Sequence, residues 1–261
     1  MKITNNKGQV FILAYDQGME IGPSCLNSWS SDIYNIFKLA QEQGFTGIAL
    51  QKGPASHYSQ KYKLGSMLNF SPTSLVLKIN GKTRMSATND VSLAYSTIEY
   101  AVSIGATAIG YTVYWGSEYE SDMVREAGIL QESTKVAGLD FVLWSYPSKK
   151  EHDELSTSPK NIAYHARLGL EIGADAVKIK YPHFSEDMNQ DDKLSILSEI
   201  VQIAGPTKVI FAGGIETKEE DFLNRVQLLK SSGSAGMAVG RNIWASKNPY
   251  EVAKRMFEIW K

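Results

Sequence analysis

Two lysines one residue apart, Lys178 and Lys180, sit in the run Ala176-Val177-Lys178-Ile179-Lys180-Tyr181. Read as a β-strand, this run sends Val177 and Ile179 to one face and both lysines to the other. Two ammonium groups held together in a partly buried place repel each other and lose hydration, and both effects lower the pKa of an amine. A neutral lysine amine is the nucleophile that attacks a carbonyl carbon to form a Schiff base. The same pattern also fits a solvated edge strand with two surface lysines. The surroundings must decide between them.

Short apolar, β-rich runs recur along the chain, each followed by a polar loop and a helical pattern. Strands are expected at residues 10–16, 47–51, 75–79, 108–113, 141–146, 176–181, 208–213 and 236–240. Between them, apolar residues at helical spacing predict helices over 32–43, 91–103, 158–172 and 218–230. Gly44, Gly105, Gly138, Gly173 and Gly233 stand where helices should end, and Asp90 and Ser158 are good N-cap types. Residues 52–73 are the least regular and should hold only a short helix. Strands alternating with helices require a parallel sheet, covered on both faces or closed on itself. Eight repeats favour closure into a single (β/α)8 barrel, an α/β domain spanning residues 1–261. An open doubly wound sheet is the rival, but no Gly-x-Gly-x-x-Gly follows the first strand.

Active sites of such barrels lie at the C-terminal ends of the strands. Those ends read Asp16, Gln51, Lys78, Trp144, Tyr146, Lys178, Lys180, Gly213-Gly214 and Gly240-Arg241. Asp16 either caps a turn or faces the lysines, holding one in place or binding a substrate hydroxyl. Trp144 and Tyr146 share a face; the tryptophan also fits a core position, whereas the tyrosine hydroxyl needs a polar partner if buried. Beside a cationic lysine the phenol should lose its proton more easily, which suits general acid–base work. The glycine pairs at strands seven and eight allow close approach of an anion, and Arg241 adds positive charge there.

Composition narrows the remaining classes. Of 261 residues, 43% are hydrophobic and 21% charged, and the net charge of -1 gives no reason to expect nucleic acid or a membrane surface as partner. The one cysteine, Cys25, excludes an internal disulfide and offers no thiolate cluster; it reads as structural. His57, His152, His165 and His183 lack close ligand spacing, so neither a metal nor another cofactor is expected. The start of the chain lacks the apolar core of a signal peptide, and no apolar run approaches the roughly 20 residues needed to span a bilayer. A cytoplasmic protein fits both.

With these residues in view, the chain resembles the archaeal-type class I fructose-1,6-bisphosphate aldolases, within the wider group of lysine Schiff-base barrels that includes deoxyribose-phosphate aldolase. The resemblance runs nearly end to end. It includes Leu13-Ala14-Tyr15-Asp16-Gln17-Gly18, Leu77-Lys78-Ile79-Asn80-Gly81-Lys82-Thr83, Gly110-Tyr111-Thr112-Val113-Tyr114 and Val239-Gly240-Arg241-Asn242-Ile243-Trp244. The most specific strings are Trp144-Ser145-Tyr146-Pro147 and Ala174-Asp175-Ala176-Val177-Lys178-Ile179-Lys180-Tyr181. The resemblance implies that Lys178 is the Schiff-base lysine and Tyr146 the acid–base residue. Asp16 and Trp144 are the implied acidic and aromatic site residues, and Gly213, Gly214, Gly240 and Arg241 the phosphate grip, with Gln17 also binding substrate. Lys180 would lower the pKa of Lys178. Three positions depart from the family pattern: Ile21 in place of a histidine, Ser148 in place of an arginine and Ala212 in place of a serine. They leave the lysine chemistry intact and bear on the phosphate grip, where Lys149 or Lys150 could stand in for the arginine.

The implied reaction is metal-independent, reversible cleavage of fructose 1,6-bisphosphate to dihydroxyacetone phosphate and glyceraldehyde 3-phosphate, in a homo-oligomer. Another Schiff-base aldolase or transaldolase-like enzyme, or a non-catalytic phosphosugar-binding barrel, are the alternatives. A phosphate-binding isomerase would need a carboxylate or cysteine base at a strand end, where only Asp16 is available.

Overall fold

The computed structural model describes residues 1–66, 73–85, 90–148, 154–214 and 217–261. Among the described residues eight parallel strands pair in sequence order and close on themselves. They are β1 (Val10–Tyr15), β2 (Gly47–Gln51), β3 (Ser74–Lys78), β4 (Ala108–Trp115), β5 (Asp140–Pro147), β6 (Ala176–Ile179), β7 (Lys208–Ala212) and β8 (Gly236–Val239). The helices among them are α1 (Gln17–Glu20), α2 (Ile33–Glu42), α3 (Lys52–Ser66), α4 (Ile98–Ser103), α5 (Glu120–Val136), α6 (Pro159–Ile172), α7 (Gln190–Ile203), α8 (Glu219–Ser231), α9 (Arg241–Trp244) and α10 (Pro249–Trp260).

Strand alternation separates two cores. Phe11, Leu13, Ile48, Leu50, Leu75, Leu77, Phe141, Leu143, Val177, Ile179, Val209 and Phe211 point outward and pack with the helices. Val10, Ile12, Ala49, Val76, Ala108, Val142, Trp144, Ala176, Ile210 and Ala238 point inward and fill the barrel. Burial of both strand faces is why these runs read as continuously apolar. At the N-terminal end Ile3, outside any strand, is fully buried against the inner cluster. It is held there by its N–H, which donates to Asp140 Oδ2 at 2.9 Å, with the N–H of Lys2 donating to the same oxygen. The last seam, β8 on β1, has no space for a side chain at Gly236: its φ is 148°, and a Cβ would stand 1.9 Å from Val10 O.

The five glycines expected to end helices all take positive φ, between 68° and 82°. Ser158 caps α6, its side chain accepting from the Asn161 N–H. Three expectations need correcting. Asp90 caps no helix; α4 begins only at Ile98, with the Thr97 side chain accepting from the Tyr100 N–H. Tertiary pairing overrides the helical spacing of residues 91–97: Asn80 and Ala94 form an antiparallel bridge, and the Tyr95 N–H donates to Ile79 O at 3.1 Å. α3, expected to be short, runs for 15 residues, with Pro54 tolerated in its first turn. β6 ends at Ile179, so Lys180 lies one residue past the strand.

Candidate functional site

Lys178 on β6 and Trp144 on β5 are register partners on neighbouring strands, and both point into the barrel. The indole lies across the interior because β4 has a glycine, Gly110, in the register pair two before its own. A Cβ on Gly110 would sit 2.5 Å from Trp144 Cζ3 and 2.6 Å from Cη2. Lys178 Nζ stands 4.8 Å from the Trp144 ring centroid and 5.8 Å from that of Tyr146. Only 4% of the residue is exposed. Its pKa is lowered, first by burial, while the Asp16 and Glu20 carboxylates pull it back up.

A second buried lysine joins it. Lys78, the last residue of β3, is 1% exposed, and its amine lies 5.8 Å from the centroid of the same Trp144 ring. It donates to Asn80 O at 2.9 Å and to Asn80 Oδ1 at 2.5 Å. Asn80 is fixed in turn: its Nδ2 donates to Ser92 O and Thr112 O, and its Oδ1 also accepts from the Thr112 N–H. Burial lowers Lys78 to about 8, opposed by Glu20 and Asp16 and assisted by repulsion from Lys178. The repulsion between the amines is felt at Lys78, whereas burial lowers Lys178 and no cationic neighbour, the expected Lys180 included, is among the causes of its shift. Lys180 stands at the rim, 5.9 Å over the Tyr146 ring, lowered to about 8 by burial with Asp90 opposing.

Asp16 follows β1 at the N-cap position of α1, yet its side chain accepts no capping hydrogen bond. It is buried, and Oδ1 has no hydrogen-bond partner among the described residues. The turn-capping reading fails, and an acceptor remains in the mouth. Its backbone is held from β2, Gln51 Nε2 donating to Asp16 O at 3.4 Å while Gln51 Oε1 accepts from the Tyr95 hydroxyl. Glu20, on α1, is a second carboxylate that the sequence reading missed. It interacts with Lys78, Asp16 and Lys82 and hydrogen-bonds Tyr114, and burial raises its pKa.

Tyr146 corrects an expectation. Its phenol is pushed well above the usual value, by burial first and then by Asp16 and Glu20, where a cationic neighbour was expected to lower it. Two carboxylates and desolvation outweigh the lysines. Tyr114, its register partner on β4, is raised likewise, by burial and then Glu20. Above Tyr114 the Lys82 amine lies 4.3 Å from the ring centroid and forms a buried ion pair with Asp90.

At strands seven and eight Gly240 meets Gln17: a Cβ there would stand 2.9 Å from both Gln17 Nε2 and Ala14 O. Gln17 Oε1 is buried without a partner among the described residues. The Gly213 N–H is already committed, donating to Ala238 O at 3.0 Å, while Gly213 O accepts from Asn242 Nδ2 at 2.7 Å. Gly214, with φ 80°, is exposed beside Arg225, and Arg241 is half-buried. Ser148 is buried just past β5, and its Oγ has no partner among the described residues. Lys149, Lys150 and His152 lie outside the described residues.

Asp16, Lys78, Trp144, Tyr146 and Lys178 thus share one mouth, with Lys180 at its rim. Glu20, Asn80, Gly110 and Tyr114 complete it, and Lys78 and Asn80, two apart on the same run, were the available signal. His165 is elsewhere, buried in α6, and burial, then Lys180, lowers it to about 4. Cys25 is half-buried, its Sγ donating to Gly22 O. Among the described residues no group of three or more His, Cys, Asp or Glu could hold a metal ion. No described helix is long and apolar enough to cross a membrane.

A model of the DeoC/LacD family aldolases matches residues 10–246. The chain is 40% identical to a class 1 fructose-bisphosphate aldolase of Thermoproteus tenax, over 99% of this chain and 92% of the relative. It is 35% identical to one of Halobacterium salinarum, over 93% and 86%. Its fold overlays that of a Schiff-base-forming fructose-1,6-bisphosphate aldolase with a TM-score of 0.87 at 36% identity, covering 99% of this chain and 97% of the other. An archaeal fructose-1,6-bisphosphate aldolase whose catalytic lysine carries the carbinolamine intermediate overlays with a TM-score of 0.85 at 37% identity, covering 98% and 96%.

Proposed function

The chain belongs to the DeoC/LacD family of aldolases, and from that premise we propose that it is a class I fructose-bisphosphate aldolase with Lys178 as its Schiff-base residue. It cleaves fructose 1,6-bisphosphate reversibly to dihydroxyacetone phosphate and glyceraldehyde 3-phosphate. The observation that carries the assignment of the lysine is its buried amine, lowered in pKa, over the Trp144 and Tyr146 rings and within the field of the Asp16 carboxylate.

Lys178 attacks the substrate ketone, the carbinolamine loses water, and the iminium nitrogen takes up the electron pair as the C3–C4 bond breaks. Tyr146 serves as proton shuttle for the C4 hydroxyl or the enamine carbon. At rest its raised pKa keeps the phenol protonated and donating; the iminium cation, formed close to its ring, offsets the Asp16 and Glu20 charges and eases ionisation. Asp16 orients a lysine or a substrate hydroxyl through Oδ1. Trp144 walls the site, and Lys180 adds positive charge at the rim. Gly214, Gly240, Arg241 and Gln17 bind phosphate, with Gly213 contributing through its place in the turn. Ser148, Ile21 and Ala212 make the grip on the distal phosphate the part of the site most particular to this chain. We read residues 1–261 as one aldolase domain that works in the cytoplasm as a homo-oligomer, on the family resemblance.

Borohydride added with dihydroxyacetone phosphate should fix a covalent adduct on Lys178, located by peptide mass mapping. Lys178→Met should abolish turnover and EDTA should leave the wild type active. An unmodified Lys178 under turnover conditions defeats the assignment.

A further inference from the structure

We propose that Lys78 is a second catalytic lysine, the acid that protonates the departing hydroxyl when the Lys178 carbinolamine becomes an iminium. The proposal rests on the reading of Lys178 given above and adds the group that removes water. Both amines lie within 6 Å of one ring centroid, at 5.8 Å for Lys78 and 4.8 Å for Lys178, and the charge of Lys178 acts on Lys78, so the two share one pocket over the indole. Asn80 receives two of the three hydrogens of the Lys78 ammonium, and among the described residues no further acceptor takes the third. The amine cannot swing away, because Asn80 is itself tied to Ser92 and Thr112.

The step balances. The neutral carbinolamine and the Lys78 ammonium become the Lys178 iminium, a neutral Lys78 amine and water. The C–O bond breaks, its electron pair leaves with the hydroxyl, and that hydroxyl takes the Lys78 proton. One positive charge enters and one leaves, so the buried pocket keeps the same net charge. That constancy matters physically. Facing Lys78 are Asp16 beyond β1, Glu20 on α1 and Lys178 on β6, and a step that keeps one cation on the two amines leaves their balance with the two carboxylates unchanged. An acid that kept its proton would have to sit beside the new iminium; one that surrenders it does not. Return of the proton to Lys78 during hydrolysis restores the resting site. The value of about 8 for Lys78 lies close to neutrality, where a general acid is most effective. Tyr146, raised well above its usual value, is the poorer donor for this step.

The test separates iminium formation from the later steps. Wild-type protein is mixed with dihydroxyacetone phosphate and quenched with borohydride over a range of times and pH, and the reduced adduct on Lys178 is counted by mass. That adduct in the wild type establishes the Lys178 reading independently. In Lys78→Met, of similar shape, the rate of adduct formation should fall by about 10²–10⁴-fold, with substrate-dependent carbinolamine, heavier than the iminium by one water, seen in its place. Lys78→Arg keeps the charge but holds its proton far above neutrality, so it should be impaired alike. Thermal melts of both variants confirm folding. Adduct formation at the wild-type rate in either variant, or loss in Lys78→Met that Lys78→Arg restores, overturns the proposal.

Discussion

The wall of the reactive pocket depends on an absence, the missing side chain at Gly110. An added methyl would stand 2.5 Å and 2.6 Å from two atoms of the Trp144 six-membered ring and 3.3 Å from a third. That ring is almost wholly buried and cannot retreat to solvent. Overpacking of this kind costs about 1–3 kcal/mol, offset by roughly 0.5–1 kcal/mol from the lower chain entropy of alanine. Gly110→Ala should therefore lose about 1–2 kcal/mol, which in a chain of this size lowers Tm by roughly 2–8 °C. Turnover should fall further than stability, because the indole is the surface over which both amines are held. The decisive measurement is a double-mutant cycle with Trp144→Phe. A phenyl ring does not reach the atoms that collide, so Gly110→Ala should be neutral or slightly stabilising in that background, giving a coupling of about 1–2 kcal/mol. An equal loss in both backgrounds would refute the account of Gly110 as the space for the indole.

Gly236→Ala should fail at the seam between β8 and β1, losing on the order of 4 kcal/mol or more, read as loss of folded protein by circular dichroism; an unchanged melt would contradict the close approach to Val10. Tyr146→Phe should reduce kcat by about 10²–10⁴-fold with little change in Tm, whereas equal losses in both would assign the phenol a structural role. His165, lowered from 6.5 to about 4 by burial, binds its proton more readily when unfolded, so its contribution is complete above about pH 6.5 and is lost as pH falls towards 4. The loss is on the order of 3 kcal/mol, and His165→Gln should remove that part of the acid dependence of the denaturation midpoint.

The strands were legible because each is buried on both faces, leaving short apolar runs separated by glycine-ended helices. The loop after β3 was not, because residues 91–97 carry helical spacing but are claimed by the bridge of Ala94 to Asn80 and by Tyr95 on Ile79. Parity along one strand correctly put Lys178 inside. It could not reveal that burial, rather than Lys180, lowers Lys178, or that a second buried amine comes from β3, since that neighbour is set by barrel closure rather than by spacing. Glu20 escaped notice for a related reason: a carboxylate in a short surface-like helix becomes part of the pocket only once α1 folds over the mouth. Gly110 looks like any strand glycine until the tryptophan two strand-pair positions later in register is seen lying on it.

Ile3, stoppering the barrel's lower end on two amide hydrogens, has a consequence for traffic. With the interior filled beneath Trp144, reactants approach Lys178 from the opposite end, and both fragments must leave the way they came. The aldehyde, bound to nothing covalently, departs first; the ketone fragment waits for a water molecule that arrives by that same door. The covalent bond sets the order of departure and the stopper sets the route: with the lower end closed, both departures and the arriving water share one opening.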